Sequence, residues 1–225
     1  MDKAKRLACL CADVLFPRRC PFCDAVLGFS GPCAACGPAL ARLCRPQGQP
    51  VPKQERALEQ LDAAYAPYFY ESPVRDALLR LKFESRTDLA RPLALLQTAA
   101  LKSAGCLPQT DVLVPVPSGR GEGRGRGYDV PLLLARALGR ELCLPVAQVL
   151  YKTRETPRQM TLSGGERRKN LKGAFAAQPD AALAGKRVLL VDDVLTTGST
   201  LNECAKALRA AGAVECRGVC VAVTR

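Results

Sequence analysis

Residues 186–201, KRVLLVDDVLTTGSTL, indicate the fold class of this chain. The apolar run at residues 188–191 has the length of a buried strand, and two adjacent carboxylates, Asp192 and Asp193, follow it directly. The polar turn at residues 196–200 then leads into a helix. This order is typical of a parallel α/β sheet, whose ligands bind where the carboxyl ends of strands meet the amino ends of helices.

The turn has the features of a phosphate site. Gly198 allows close approach of the backbone, and the free amides of the first helical turn point at an anion. Hydroxyl donors come from Thr196, Thr197, Ser199 and Thr200. Two carboxylates beside a phosphate make sense if they accept hydrogen bonds from the vicinal hydroxyls of a sugar whose 5′-phosphate lies in the turn. The structural alternative is an ordinary strand-to-helix turn capped by Ser or Thr.

The flanking sequence repeats the alternation of strands and helices, so we expect a parallel sheet flanked by helices. Predicted helices cover residues 74–81, 130–138 and 201–208, and predicted strands cover residues 111–116, 188–191 and 219–223. The last of these helices has Leu201, Cys204, Ala205 and Leu208 on its apolar face, and Gly212 ends it. No stretch approaches ~18 uninterrupted apolar residues, so we expect no membrane span.

Composition excludes several kinds of chemistry. The chain has no His, which excludes a Ser-His-Asp triad, a Cys-His pair and any His-ligated metal. Aromatic residues make up 5% of the chain and Trp is absent, which disfavours a reader that stacks bases on aromatic side chains. With 33 basic against 21 acidic residues, the net charge of +12 should attract phosphate, on a nucleic acid or a metabolite.

Basic residues concentrate in one segment. Residues 152–172 contain seven Lys or Arg, including Arg154 and Arg158, against Glu155 and Glu166. Three more arginines lie in a Gly-rich stretch, at positions 120, 124 and 126. A solvated charge run is the alternative to a phosphate-binding segment.

The first 50 residues hold seven of the twelve cysteines. Cys20-x2-Cys23 and Cys33-x2-Cys36, nine residues apart, have the spacing of a four-cysteine zinc ribbon. A redox CxxC or two disulfides are the alternatives. So short a module cannot offset ~1 to 2 kcal/mol per residue of ordering entropy, whereas structural zinc contributes roughly 10 to 16 kcal/mol.

This composition predicts two units: residues 1–50, a zinc-ribbon module whose linker begins at Pro46, and residues 51–225, an α/β domain. Without a credible export signal, twelve cysteines indicate reduced thiols and a cytoplasmic location. We expect the remaining thiols to be core residues, namely Cys9, Cys11, Cys106, Cys143, Cys204, Cys216 and Cys220.

The strand, acid pair and TTGST turn resemble the phosphoribosyl-pyrophosphate (PRPP) signature of type I phosphoribosyltransferases. The resemblance extends to the competence protein F (ComF) family of that fold. It rests on VLFPRRCPFC (14–23), LRLKFESR (79–86), VPVP (114–117) with a later RGY, and the segment from TPRQ to KGAF (156–175).

The resemblance implies the remaining site residues. Asp192 and Asp193 would hold the ribose hydroxyls and stabilise positive charge on the ribose. The resemblance places a pyrophosphate loop either at residues 114–118 or near Lys82, and it makes the basic segment 152–172 the candidate for a mobile loop that binds the same group. Mg²⁺ would bridge pyrophosphate and ribose oxygens. The candidate pyrophosphate residues are Val116, Pro117, Ser118, Lys82, Arg154 and Arg158.

Two positions depart from the family. Where relatives read Arg-Gly-Phe-Asn-Gln, this chain has Asp129 and Val130 in place of the two amide residues. A further CxxCG motif is reduced to Cys44 alone, which argues against a second zinc.

The leading interpretation is a PRPP-binding phosphoribosyltransferase that acts on an acceptor the sequence does not name and is linked to DNA uptake. The alternative is a non-catalytic competence factor that senses PRPP or a nucleotide, or binds single-stranded DNA or a competence helicase. Whether the chain forms a homodimer is left open.

Overall fold

The computed structural model describes residues 19–27, 33–53, 56–105, 107–118, 127–154, 171–179 and 182–225. Arg158 and most of the basic segment lie outside the described residues, as do the three arginines of the Gly-rich stretch. Cys9, Cys11 and Cys106 also lie outside them.

Strands and helices alternate along most of the described chain. The described strands are β1 (Ala63–Tyr65), β2 (Tyr68–Phe69), β3 (Val112–Pro115), β4 (Leu150–Lys152), β5 (Phe175–Ala177), β6 (Arg187–Val191), β7 (Val194–Leu195), β8 (Glu215–Val219) and β9 (Ala222–Val223). The described α-helices are α1 (Gly37–Leu43), α2 (Val74–Phe83), α3 (Ala90–Ser103), α4 (Val130–Leu142) and α5 (Ser199–Ala210).

The main sheet is parallel throughout, in the order β1-β8-β6-β3. A second parallel sheet, β2-β9-β7, contains the next strands along the chain after β1, β8 and β6. In each of these three pairs, a short break separates the strand of the main sheet from the strand of the second sheet. Asp192 and Asp193 form the break between β6 and β7. There the carbonyl of Asp193 accepts hydrogen bonds from the amides of Val221 (3.0 Å) and Ala222 (3.3 Å). The acid pair therefore lies at an aligned interruption of three strands.

Helices cover both faces of the sheet, because successive strand side chains point to opposite sides. Leu189 and Val191 of β6 belong to the core that α2, α3 and α4 line, whereas Val188 and Leu190 belong to the core that α5 lines. All four side chains are buried, and each buried Leu or Val stabilises the fold by roughly 1.5 to 3 kcal/mol. This double burial explains why the strand reads as a continuous apolar run.

The predicted α/β fold class is confirmed, with differences at the sheet edges. The predicted strand at 188–191 is β6, and the four apolar residues predicted for the last helical face are all buried on α5. The predicted strand at 219–223 is incomplete: β8 begins at Glu215, and an interruption separates β8 from β9. The helix α3 and the short strands β1 and β2 were not predicted.

The N-terminal residues pack on the α/β core. Phe22 and Leu43 are buried in the same cluster as Val74 and Leu78 of α2. In the predicted linker, the Val51 amide donates to the Ala64 carbonyl at 2.7 Å. The linker is therefore packed along the edge of β1, and a boundary at residue 50 stays a prediction. None of the described helices is long and apolar enough to cross a membrane.

Candidate functional site

The two carboxylates differ in burial where the chain leaves β6. Asp193 is 7% exposed, and its Oδ1 accepts from the Val194 amide at 2.8 Å. Asp192 is half-buried, and its Oδ1 accepts from the Asp193 amide at 2.9 Å. Each carboxylate is thus oriented by a backbone amide, and Asp192 is the more accessible of the two.

Lys82, at the end of α2, reaches this acid pair. Its Nζ forms an ion pair with Oδ2 of Asp193. Burial lowers the pKa of Lys82, but the negative charges of Asp193 and Asp192 outweigh it and leave the pKa raised. For Asp192, loss of solvation and the charge of Asp193 raise the pKa well above its ordinary value. Ionisation of Asp192 in the folded protein therefore costs free energy, and a charged ligand that binds here contacts a carboxylate with this cost.

The predicted phosphate turn joins β7 to α5. Gly198 has φ +81°, in the left-handed region that glycine tolerates, and α5 begins at Ser199. The hydroxyls of Thr197 and Ser199 are 2.9 Å apart. The Ser199 amide donates to the Thr197 hydroxyl at 3.5 Å, and Gly198 has no side chain to cap the other amides of the first turn of α5. These amides point towards the turn with their partial positive charge. The local geometry suits an anion, and phosphate binding at this turn stays a prediction.

The segment before β1 supports the turn from behind. The guanidinium of Arg56 donates to the carbonyls of Thr196 and Thr224, each at 2.6 Å, and the Ala57 amide donates to the Thr197 carbonyl at 2.9 Å. A Cβ at Gly198 would lie 2.7 Å from the carbonyl oxygen of Ala57 and 2.7 Å from a methyl carbon of Leu58. A side chain at Gly198 would therefore point into the protein. The expectation that the missing side chain makes room for phosphate is wrong, because the space is taken by Ala57 and Leu58.

Residues 116–118, predicted for pyrophosphate, follow β3 beside the end of β6. The amide of Val116 donates to the Val191 carbonyl at 3.0 Å. The amide of Ser118 donates to Oδ2 of Asp129 at 3.2 Å. The half-buried Pro117 lies between them. Of the predicted basic residues, Lys82 lies at the acid pair, whereas Arg154 donates to the Lys172 carbonyl at 3.3 Å beside the antiparallel strands β4 and β5.

The departure from the family at Asp129 and Val130 has a structural explanation. Asp129 is the N-cap of α4, and its Oδ1 accepts from the Leu132 amide at 3.1 Å. Val130 is 3% exposed in the core. Asp and Asn cap helices about equally well, so the cap at this position does not require an amide.

The four predicted cysteines form one cluster. The Sγ atoms of Cys20, Cys23, Cys33 and Cys36 all lie within 4.8 Å of one another. Four thiolates on a tetrahedral zinc, at Zn–S of about 2.3 Å, are about 3.8 Å apart, so the cluster fits such an ion. The backbone amide of Cys36 lowers the pKa of the Cys33 thiol to about 7, whereas burial raises the pKa of the Cys23 and Cys36 thiols.

The remaining predicted core thiols are only partly confirmed. Cys204, Cys216 and Cys220 are buried. Cys143 is exposed, because it forms the left-handed C-cap of α4, and Cys44 is exposed as well.

Several contact residues escaped the sequence analysis. Arg80 of α2 donates to the carbonyls of Pro21 (3.0 Å) and Phe22 (2.7 Å), between the first two cysteines. Arg86 pairs with Asp24 at 3.0 Å. Both arginines lie in the quoted LRLKFESR segment, which was the one signal available for them. Arg56 had no such signal.

Comparisons with known proteins agree with this geometry. A family model described as phosphoribosyl transferase domain matches residues 132–225. DNA utilization protein YhgH of Escherichia coli (strain K12) is 31% identical over 85% of this chain and 84% of its own length. Competence protein F of Haemophilus influenzae is 36% identical over 65% of this chain and 66% of its own length.

Solved structures with this likeness are more distant. The glutamine PRPP amidotransferase of B. subtilis is 26% identical, with a TM-score of 0.38 over 60% of this chain and 26% of that one. The purine phosphoribosyltransferase of Pyrococcus horikoshii is 22% identical, with a TM-score of 0.37 over 59% of this chain and 70% of that one. The extended match to the two curated relatives, together with the acid pair, the turn and the cysteine cluster, shows that this chain belongs to the competence protein F (ComF) family of phosphoribosyltransferase-fold proteins.

Proposed function

We propose that this chain binds PRPP and transfers its ribose 5-phosphate group to an acceptor, with release of pyrophosphate. One observation carries the proposal: an oriented acid pair and the amino end of α5 follow the same strand, separated only by β7 and the turn residues 196–198. Such an arrangement presents carboxylates for ribose hydroxyls and amides for a phosphate on one ligand.

Each part of the site has a role in the transfer. The turn at residues 196–200 binds the 5′-phosphate, and Asp192 and Asp193 accept hydrogen bonds from the ribose hydroxyls. In the reaction the bond between ribose C1 and the pyrophosphate oxygen breaks and its electron pair leaves with pyrophosphate. An electron pair of the acceptor then forms the new bond to C1. The carboxylates stabilise the positive charge that develops on the ribose in between.

Lys82 balances the charge of this site. It pairs with Asp193, so the acid pair and Lys82 together carry a single negative charge when both carboxylates are ionised. Asp192 is then the carboxylate with the greater access to a ribose hydroxyl. We place residues 116–118 and the basic residues Arg154 and Arg158 with the pyrophosphate group, as the family resemblance implies.

Mg²⁺ belongs to this proposal as a partner of PRPP. Among the described residues, the four cysteines form the one cluster of three or more metal-ligating side chains. Mg²⁺ is often held chiefly by substrate phosphates, and here PRPP oxygens would provide most of its ligands. Bound there, it would neutralise charge on the leaving pyrophosphate.

We further propose that the four cysteines hold a structural zinc ion. Support comes from their mutual distances and from the amide of Phe22, which donates to Sγ of Cys20 at 3.4 Å. Amide donors of this kind stabilise a thiolate and orient it towards a metal.

A non-catalytic role in DNA uptake is the second candidate. The relatives' names refer to competence and DNA utilization, and the net charge of +12 suits a nucleic-acid partner. In this alternative the same site binds PRPP as a signal, and single-stranded DNA or a helicase contacts the basic surface. The two candidates differ in whether pyrophosphate is released.

The test measures PRPP binding by calorimetry with Mg²⁺, and pyrophosphate release across a screen of bases, amines and oligonucleotides. Asp192→Asn removes charge from a hydrogen bond worth roughly 1.5 to 3 kcal/mol, so we expect binding to weaken about tenfold or more. A catalyst should lose additional turnover, because the carboxylates also stabilise the transition state.

Thr200→Val tests the phosphate turn separately, because it removes one hydroxyl and keeps the shape of the side chain. We expect several-fold weaker PRPP binding. Thr87→Val, on an exposed residue away from the turn, is the matched control and should bind as wild type does. Wild-type protein that binds PRPP but never releases pyrophosphate would support the non-catalytic role, and absence of PRPP binding would overturn both candidates.

A further inference from the structure

The last turn of α2 lies between the cysteine cluster and the acid pair. Arg80 and Lys82 are two positions apart, about 200° around the helix, so their side chains leave it on opposite sides. Arg80 donates to the carbonyls of Pro21 and Phe22, whereas Lys82 pairs with Asp193. One helical turn therefore contacts both sites.

On one side, the contact depends on the fold of the cysteine segment. Both carbonyls that Arg80 binds belong to residues between Cys20 and Cys23, and their positions follow from how these two thiols are held. The Arg80 side chain is 16% exposed, so its hydrogen bonds are largely shielded from water. Asp24 adds a second link, because it pairs with Arg86 at 3.0 Å just after the helix.

On the other side, the turn is held against the site. The hydroxyl of Tyr128 donates to the Leu81 carbonyl at 2.6 Å, and Leu81 itself is fully buried. Lys82 forms an ion pair with the buried Asp193. This ion pair depends on the position of the last turn of α2. A shift of this turn by about 1 Å would disrupt a charge-assisted hydrogen bond, since such bonds are short and directional.

We propose that Arg80 is a positioning residue, which uses the metal-ordered Cys20–Cys23 segment to hold Lys82 against Asp193. Loss of metal from the four cysteines then frees the last turn of α2 and exposes Lys82. The consequence for PRPP rests on the proposed function: a site without the paired Lys82 has an uncompensated carboxylate and binds the polyanionic PRPP more weakly.

The first test follows the exposure of Lys82 and needs no ligand. Metal-loaded protein, checked by metal analysis, is treated briefly with acetic anhydride, and the modified lysines are quantified by mass spectrometry. Lys186, exposed at the opposite end of β6, is the internal reference. We expect Lys82 to react about tenfold more slowly than Lys186 in the loaded protein, and the difference to shrink severalfold after a chelator removes the metal.

Variants assign this effect to Arg80. Arg80→Met should raise the Lys82 reactivity severalfold while the metal content stays near that of wild type. Arg75→Met, on the same helix but with a side chain 52% exposed, should leave it unchanged. Circular dichroism and thermal melting confirm that each variant is folded. Equal Lys82 reactivity in wild type, Arg80→Met and metal-free protein would overturn the proposal.

The second test measures PRPP binding by calorimetry with Mg²⁺. Arg80→Met should bind PRPP about tenfold more weakly than wild type or Arg75→Met, the size expected when a charge-assisted contact is lost. If wild type binds PRPP tightly and Arg80→Met binds it with the same affinity, the proposal is overturned. A wild type that binds no PRPP, with Lys82 still protected by the metal, would overturn the proposed function while the coupling stands.

Discussion

Asp192 illustrates how a single residue of this site is held at a cost to the fold. Its carboxylate is half-buried next to a second carboxylate, and both influences raise its pKa well above the ordinary value. The folded protein thus holds a proton on Asp192 more tightly than the unfolded chain does. Stability from this group is present at low pH and declines as the pH rises above about 4, the ordinary Asp value. A side chain that weakens the fold at neutral pH is expected where binding, and not folding, selects the residue.

We therefore predict that Asp192→Asn stabilises the protein at pH 7 while weakening PRPP binding. Asn keeps the oxygen that accepts from the Asp193 amide and removes the charge. The gain should be of the order of 1 kcal/mol, or about 2 to 4 °C in Tm, and should shrink as the pH is lowered towards about 4. Asp193→Asn is the control and should lower Tm, since it leaves the charge of Lys82 without its carboxylate. A lower Tm for Asp192→Asn at pH 7 would contradict this account.

At the scale of elements, the local units of the fold were predictable and their long-range contacts were not. The β6 strand and the α5 face are visible in the sequence because burial on both sides of a strand and on one side of a helix gives distinct apolar patterns. The strands β1 and β2 contain only three and two residues, too few for a pattern. The interruption between β8 and β9 depends on the carbonyl of Asp193, far away in sequence.

The same distinction applies to the candidate site. The acid pair, the TTGST turn and the four cysteines are local motifs, and the structure shows each as a local unit. The partners that hold them are distant: Arg56 contacts Thr196 across 140 positions, and Lys82 comes from a helix that precedes the acid pair by more than a hundred residues. No periodicity reports such contacts, so the sequence could suggest Lys82 by resemblance but not its pairing with Asp193.

The N-cap of α4 gives a prediction at this scale. Asp129 accepts from the amides of Leu132 and Ser118, so it joins the start of the helix to the segment after β3. Asp129→Ala should lower the free energy of unfolding by about 0.5 to 2 kcal/mol, whereas Asp129→Asn should change it by much less. Urea denaturation of the two variants beside wild type measures both values. Equal losses for Ala and Asn would show that the carboxylate charge, and not the cap, is what matters here.

Over the whole molecule, one core joins the cysteine module to the domain. Cys20, Phe22, Cys36 and Leu43 are buried with side chains of α2, α3 and α4. Phe22 also meets the ring of Tyr68 edge-to-face, with centroids 5.9 Å apart. Of the module residues that the structure describes, none belongs to the second core, between the sheet and α5. The α/β domain therefore keeps most of its apolar burial when the module unfolds, but it loses part of one face.

This division predicts how the protein responds to loss of metal. Cys33→Ser, or a strong chelator, should unfold the module because so small a segment depends on the metal for its stability. The α/β domain should stay folded with a lower Tm, since Phe22 and Leu43 no longer cover the helices. Metal analysis measures the loss of metal, circular dichroism the unfolding of the module, and thermal melting the Tm of the domain.

Cys44→Ser is the matched control, because Cys44 is exposed and outside the cluster. It should change neither metal content nor Tm by much. Freshly purified protein without metal and with four freely titratable thiols would contradict the zinc assignment. An unchanged Tm in Cys33→Ser would contradict the shared core.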